Sequence, residues 1–232
     1  MTTWVFQPEP VTALAVADSE ALFPVHRIYC VGRNYAEHAQ EMGHSGREAP
    51  FFFMKPADAL VQVPEHREGV INYPSRTENL HYEIELVAAL SKGGRQLTVE
   101  QAADAIWGFA VGLDMTRRDL QSQAKDKGRP WDVAKGYDGS APIGTLYPRS
   151  QVGTLERGLI TLDVNGVRKQ QGDLSDMLWS TAECLAELST YFELKAGDLL
   201  MTGTPAGVGP VTVGDRLLGA IEGLGQLSLR IE

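Results

Sequence analysis

Short segments rich in β-branched and aromatic residues recur along the chain: Arg27–Val31, Phe51–Met54, Tyr82–Leu90, Gly108–Leu113, Leu159–Gln170, Asp198–Thr202 and Arg216–Ile231. Strict alternation at the start of Tyr82–Leu90 predicts a strand with one polar face, and the unbroken apolar run Leu86–Leu90 predicts a central, buried one. Leu159–Val164 and Val167–Gln171 flank Asn165-Gly166, a pair suited to the positive φ angles of a type I′ hairpin turn. Four helix starts are signalled at Asn34-Tyr-Ala-Glu37, Thr98-Val-Glu-Gln101, Thr116-Arg-Arg-Asp119 and Ser180-Thr-Ala-Glu183. In each, a capping side chain precedes by three positions an acid or amide able to cap back. The last continues with Ala182, Leu185, Leu188 and Phe192, an apolar stripe at helical spacing expected to lie on a sheet. Strands outnumber helices and do not alternate with them regularly, which disfavours a doubly wound parallel sheet and predicts an α+β fold, mostly β.

Composition narrows the class. A chain of 232 residues with 43% hydrophobic and 22% charged residues is an ordinary globular protein rather than a disordered one. Pro8, Pro10 and Pro24 mark residues 1–24 as an irregular arm or a short edge strand, and residues 25–232 read as one domain. Two cysteines, Cys30 and Cys184, are too few for a disulfide framework or a cysteine-based zinc site, and fit a reducing cytoplasm. The apolar run Trp107–Leu113 is far short of the ~20 residues that a membrane helix needs. Lys and Arg total 21 against 30 Asp and Glu, a net charge of −9 with no basic stripe, which argues against nucleic acid and for a small-molecule partner.

Candidate chemistry begins with His81-Tyr-Glu-Ile-Glu85. On a strand, Glu83 and Glu85 share a face with Cα atoms about 6–7 Å apart. Such a pair is either a solvated acidic face or, if buried, a site whose mutual repulsion calls for a hard divalent cation. Asp114 ends the apolar segment Gly108–Leu113 just before a helix start, where it is either a cap or a third ligand. Arg118 and Gln121 fall on one helix face by i, i+3 spacing and can aim a cation and an amide at the same place, although Arg118 suits a surface ion pair equally. Lys135 is a lone charge in a small, mixed segment and by itself reads as a solvated loop lysine. His38 and Glu41 share a helix face over Tyr35–Met42, as a surface contact or as an imidazole–carboxylate base, and Gly43 and Gly46 suit a mobile lid. The glycines at 203, 207 and 209 follow a buried segment but lack the ending of a phosphate-binding loop.

Gly32-Arg-Asn-Tyr-Ala-Glu-His38-Ala-Gln-Glu41, Phe53-Met-Lys-Pro56, His81-Tyr-Glu-Ile-Glu85, Leu113-Asp-Met-Thr-Arg-Arg-Asp-Leu-Gln121, Ala134-Lys135 and Thr202-Gly-Thr-Pro-Ala-Gly-Val-Gly209 together resemble the fumarylacetoacetate hydrolase family. The resemblance runs from about Val25 to Glu232. It is strongest to the short acylpyruvate hydrolases, the group that includes the bacterial fumarylpyruvate hydrolases of gentisate breakdown. It implies a mixed β-sandwich roll, usually a homodimer, with Mg2+ or Mn2+ at Glu83, Glu85 and Asp114. It also implies His38 and Glu41 as the dyad that activates water. Arg118, Gln121, Lys135 and Thr204 would be substrate contacts, with Arg33 a further one and Lys135 offsetting developing negative charge. The implied reaction is cleavage of a carbon–carbon bond in a 2,4-diketo acid, fumarylpyruvate giving fumarate and pyruvate. Oxaloacetate decarboxylation or keto–enol isomerisation would use the same metal and enolate. The long members of the family have an extra N-terminal domain and an aspartate where this chain has Val31, which argues against fumarylacetoacetate itself as substrate.

Overall fold

The buried strand is present as Ile84–Leu90, and all of its residues are buried. It lies inside an eight-stranded sheet whose order is Phe51–Lys55, Arg27–Gly32, Asp198–Met201, Ile84–Leu90, Ile106–Leu113, Ala141–Ile143 and Leu60–Gln62, with Tyr147–Pro148 also paired to Ile106–Leu113. The computed structural model describes residues 3–35 and 48–232. Asp198–Met201 runs parallel to Arg27–Gly32 and antiparallel to Ile84–Leu90, so the sheet is mixed. A second, five-stranded sheet has the order Val167–Asp173, Leu159–Val164, Arg216–Ile221, Gln226–Ile231 and Glu68–Ile71. The fold is α+β and mostly β, as its sequence pattern predicts.

The two faces of Ile84–Leu90 build two cores. Ile84, Leu86 and Ala88 join Ile160, Leu162, Leu217 and Leu229 of the second sheet in one apolar cluster. Val87 and Ala89 point the other way, into a cluster closed by Leu14 and Phe23 of the hairpin Ala13–Ala15/Leu22–Pro24 and by Val16 just beyond its first strand. Alternation therefore has a side chain on each face with somewhere to go, which is why this strand reads as a continuous apolar run.

Several predicted elements are present in modified form. The hairpin turns at Asn165 and Gly166, with φ of 51° and 75°. The helices Val99–Ala105 and Thr181–Tyr191 start with the reciprocal caps of Thr98 with Gln101 and Ser180 with Glu183. Arg216–Ile231 is two strands, Arg216–Ile221 and Gln226–Ile231, paired antiparallel. The segment Tyr82–Leu90 is also two strands, because the chain leaves the large sheet at Glu83 and continues backward as Leu80–Tyr82. That strand sits between Thr116–Arg117 and Gly209–Val211 in a small third sheet. The helix start expected at Thr116 is corrected as well. Thr116 pairs with His81 in the small sheet, its hydroxyl donates to Asp114 O at 3.3 Å, and the helix begins at Arg118. Asp119, the expected reciprocal cap, instead accepts from Thr77 Oγ1 at 2.6 Å and Glu78 N at 3.0 Å. Long-range pairing has outcompeted a local capping signal.

Asn34, expected to cap a helix, is fully buried and ties remote segments together. Its Nδ2 donates to Trp179 O and Thr202 O, both at 2.8 Å, and its Oδ1 accepts from Trp179 N at 2.9 Å. The rest of the expected helix, with His38 and Glu41 and the glycines at 43 and 46, lies outside the described residues. Asn34→Ala removes these three hydrogen bonds, at about 1 kcal/mol each, and is expected to destabilise the protein by about 2–4 kcal/mol. A shift in urea midpoint at unchanged slope measures this, and an unchanged midpoint contradicts it.

Candidate active site

The step between sheets builds the site. Ile84 pairs with Leu113 in the large sheet and His81 pairs with Thr116 in the small one, with the same register on both sides of the break. Glu83 and Asp114 therefore face each other where the two strands change sheet, and Asp114 N donates to Glu83 O at 2.8 Å. Glu85, opposite Gly112, shares the face of Val87 and Ala89. Ligand oxygens of Glu83, Glu85 and Asp114 all lie within 4.8 Å of one another, and all three residues are buried. The alternatives left open by the spacing are thereby decided for burial: Asp114 caps nothing, and the acidic pair is not a solvated face.

Positive charge surrounds the acids. Lys135 Nζ lies 2.8 Å from Glu83 Oε2 and 2.6 Å from Asp114 Oδ2, and its side chain is 2% exposed. Arg118 Nη2 pairs with Glu83 Oε1, and its Nη1 donates to Gln121 Oε1 at 2.5 Å. Lys55, given no role by its spacing, is fully buried. Its Nζ lies 2.8 Å from Asp114 Oδ1 and donates to Met115 O and to Lys135 O. The signal for Lys55 was present: like Asp114, it ends an apolar strand, and Pro56 follows it.

These neighbours shift the titrations. Burial, then repulsion from Asp114 and Glu83, pushes the Glu85 carboxyl well above its ordinary value, although Gly203 N donates to its Oε2 at 2.7 Å. Burial works against the Lys135 ammonium, yet Asp114 and Glu83 outweigh it and its pKa is raised. Burial and the nearby Arg118 lower His81 to about 4, so the imidazole is neutral at pH 7. It accepts from Arg118 Nε at 3.3 Å.

Arg33, Arg118, Gln121, Lys135 and Thr204 line one cleft with Glu83 and Glu85. The Thr204 hydroxyl donates to Ile84 O at 2.7 Å and accepts from Gln170 Nε2 at 2.8 Å, which ties the loop after Asp198–Met201 to the strand that carries Glu85. Gln170, a buried residue with no sequence signal beyond a polar position in a strand, also accepts from Ile84 N at 3.0 Å.

The sequence model of the fumarylacetoacetate (FAA) hydrolase C-terminal family matches residues 27–232. The chain belongs to the fumarylacetoacetate hydrolase family. A fumarylpyruvate hydrolase from Ralstonia sp. is 44% identical over 184 residues, 79% of this chain and 93% of the relative. An oxaloacetate tautomerase from Escherichia coli strain K12 is 39% identical over 202 residues, covering 87% and 90% of the two chains. The crystal structure of fumarylpyruvate hydrolase from Pseudomonas aeruginosa in complex with Mn2+ and pyruvate superposes with a TM-score of 0.97 at 54% identity, covering 99% of each chain.

A divalent metal fits this family member's own residues. Asp114 Oδ1 is buried and accepts no well-directed hydrogen bond, despite its proximity to Lys55. Three carboxylates form an all-oxygen donor set suited to a hard cation such as Mg2+ or Mn2+. Because burial and repulsion raise the Glu85 pKa, its carboxyl keeps a proton to higher pH than an ordinary carboxylate, and a cation that binds there competes with that proton. Mn2+ affinity is expected to rise with pH through that raised range, by up to about tenfold per pH unit for one displaced proton, and to level off above it. Calorimetric titrations in buffers of different ionisation heat measure this; pH-independent affinity with no buffer-dependent heat contradicts it.

Proposed function

We propose that this chain hydrolyses the carbon–carbon bond of a 2,4-diketo acid, with fumarylpyruvate giving fumarate and pyruvate. The observation that carries this reading is the buried cluster of Glu83, Glu85 and Asp114 beside Lys135 and Arg118 in one cleft. The fumarylpyruvate hydrolases among its relatives support it. Glu83, Glu85 and Asp114 would hold Mg2+ or Mn2+, and the bound cation would supply Lewis-acid stabilisation of negative charge on a 2-keto acid.

The chain's own groups supply the rest. Arg118 and Gln121, linked to each other, orient the substrate's polar end, Thr204 flanks that end, and Arg33 is a further substrate contact. His38, with Glu41 as the other member of the dyad, takes a proton from the water that adds to C4. The C3–C4 bond then breaks, its electron pair stays with the pyruvyl fragment as an enolate, and proton return to C3 completes pyruvate while C4 leaves as a carboxylate. Lys135, fixed between Glu83 and Asp114, offsets the charge that develops on the departing fragment. In this reading residues 1–24 are an arm and residues 25–232 the catalytic domain. The protein works as a cytoplasmic homodimer in aromatic catabolism, at the gentisate branch.

A second reading draws support from the oxaloacetate tautomerase relative: decarboxylation or keto–enol isomerisation of oxaloacetate, which needs the same acids and Lys135 but no attacking water. Assays with fumarylpyruvate and with oxaloacetate, each with Mn2+ and then EDTA, separate the two. Hydrolysis that EDTA abolishes supports the first; turnover of oxaloacetate alone supports the second. General-base help is worth ~10²–10⁴ in rate, so His38→Ala is expected to lower kcat by that factor while leaving Mn2+ affinity largely unchanged. Full hydrolytic activity in His38→Ala overturns the dyad.

A further inference from the structure

One turn beyond Gln121, on the helix face that carries Arg118, stands Lys125, and it lines the same cleft. Its Nζ lies 5.2 Å from the ring centroid of Trp131. Trp131 meets Phe51 edge-on, with centroids 5.5 Å apart at 84°. The Arg33 guanidinium carbon lies 5.0 Å from the centroid of that same Phe51 ring. Phe51 packs against Gly32, where any side chain would overlap its ring. Arg33 itself, at φ 56°, occupies the left-handed region that a non-glycine residue seldom adopts. Two cations thus stand at a pair of touching aromatic rings on the cleft wall.

The cleft's ion pairs join Lys55, Lys135 and Arg118 to Glu83 and Asp114, and among the described residues Arg33 and Lys125 enter none of them. In a chain of net charge −9, two cations at one cleft that enter no ion pair among the described residues are a feature that an anion would complete. Burial, then repulsion from Arg118 and Arg33, lowers the Lys125 pKa against an opposing attraction from Glu83. Seven residues of helix separate Arg118 from Lys125, a rise of about 10 Å. That span suits a ligand with an anionic group at each end.

We propose that Arg33 and Lys125 seat a carboxylate at the far end of the acyl group, while Phe51 and Trp131 provide flat walls for its unsaturated carbons. Lys125 and Arg33 are then specificity-determining residues that select acylpyruvates ending in a carboxylate over those with a neutral acyl group. This rests on the acylpyruvate hydrolase reading for its substrate, but the seat itself is a property of the cleft. Arginine brings a planar fork for the carboxylate, and lysine brings a mobile point charge.

The test compares kcat/KM for fumarylpyruvate and for acetylpyruvate in wild type and Lys125→Met, both checked for folding by thermal melting. The variant is expected to lower the fumarylpyruvate value about tenfold or more, mainly through KM, and to affect acetylpyruvate far less. Lys125→Arg is expected to recover much of the loss. Parallel losses on both substrates, or an unchanged ratio, overturn the proposal. A calorimetric titration of the Mn2+-loaded protein with fumarate, and with acetate as control, gives an independent readout. Fumarate binding is expected to weaken about tenfold in Lys125→Met, and equal fumarate affinity in wild type and variant overturns the seat. If wild type hydrolyses neither acylpyruvate, the hydrolase reading falls, and the fumarate titration alone decides the seat.

Discussion

Three carboxylates brought together out of water are the constraint on which this site depends. Glu83, Glu85 and Asp114 each sit in or beside a buried strand, and their mutual repulsion would drive them to protonate or separate if nothing compensated it. Lys55, Lys135 and Arg118 provide that compensation from three different elements: the end of strand Phe51–Lys55, the short helix Asp132–Lys135 and the start of helix Arg118–Asp126. The ion pairs hold these elements around the acids, so the charge arrangement that suits a divalent cation also sets how the cleft is assembled. Glu85 is paired least directly, accepting from Gly203 N, and burial with repulsion from Asp114 and Glu83 displaces its titration upward.

Much of this was legible in the residues. Alternation across Tyr82–Leu86 placed Glu83 and Glu85 on one face. The reading survived a break in the strand because the pairing register is the same on both sides of Glu83. Asp114 stood out as an acid ending an apolar strand, and i, i+3 spacing correctly brought Arg118 and Gln121 together. The break itself depends on Leu80–Tyr82 pairing with Gly209–Val211, more than a hundred residues away, which no local pattern encodes. The same long-range sheet removed Thr116 from its apparent capping box. Lys55, Gln170 and Asn34 were invisible as functional positions for a related reason. Each is a polar residue whose partners, Asp114, Thr204 and Thr202, are remote in sequence, and only the fold reveals that the group is buried and satisfied.

The polar supports also link chemistry to selectivity. Trp131 and Lys135 flank one short helical turn, and Lys135 N donates back to Trp131 O at 2.9 Å. The ring that walls the cleft and the ammonium that faces the acids are therefore positioned by one element, which Lys55 anchors through Lys135 O. Thr202, Gly203 and Thr204 all bond to residues 84–86, so the loop after Asp198–Met201 is held firmly to the strand that presents Glu85. A site fastened in this way has its charge geometry set before any ligand arrives, as electrostatic stabilisation of a departing anion requires.

Diffraction at the manganese absorption edge from crystals grown with Mn2+ tests the central claim most directly. An anomalous peak enclosed by the carboxylates of Glu83, Glu85 and Asp114, at about 2.0–2.4 Å from one oxygen of each, is the predicted result. A protein saturated with Mn2+ in solution whose anomalous density lies elsewhere, with no peak at these three carboxylates, would contradict it.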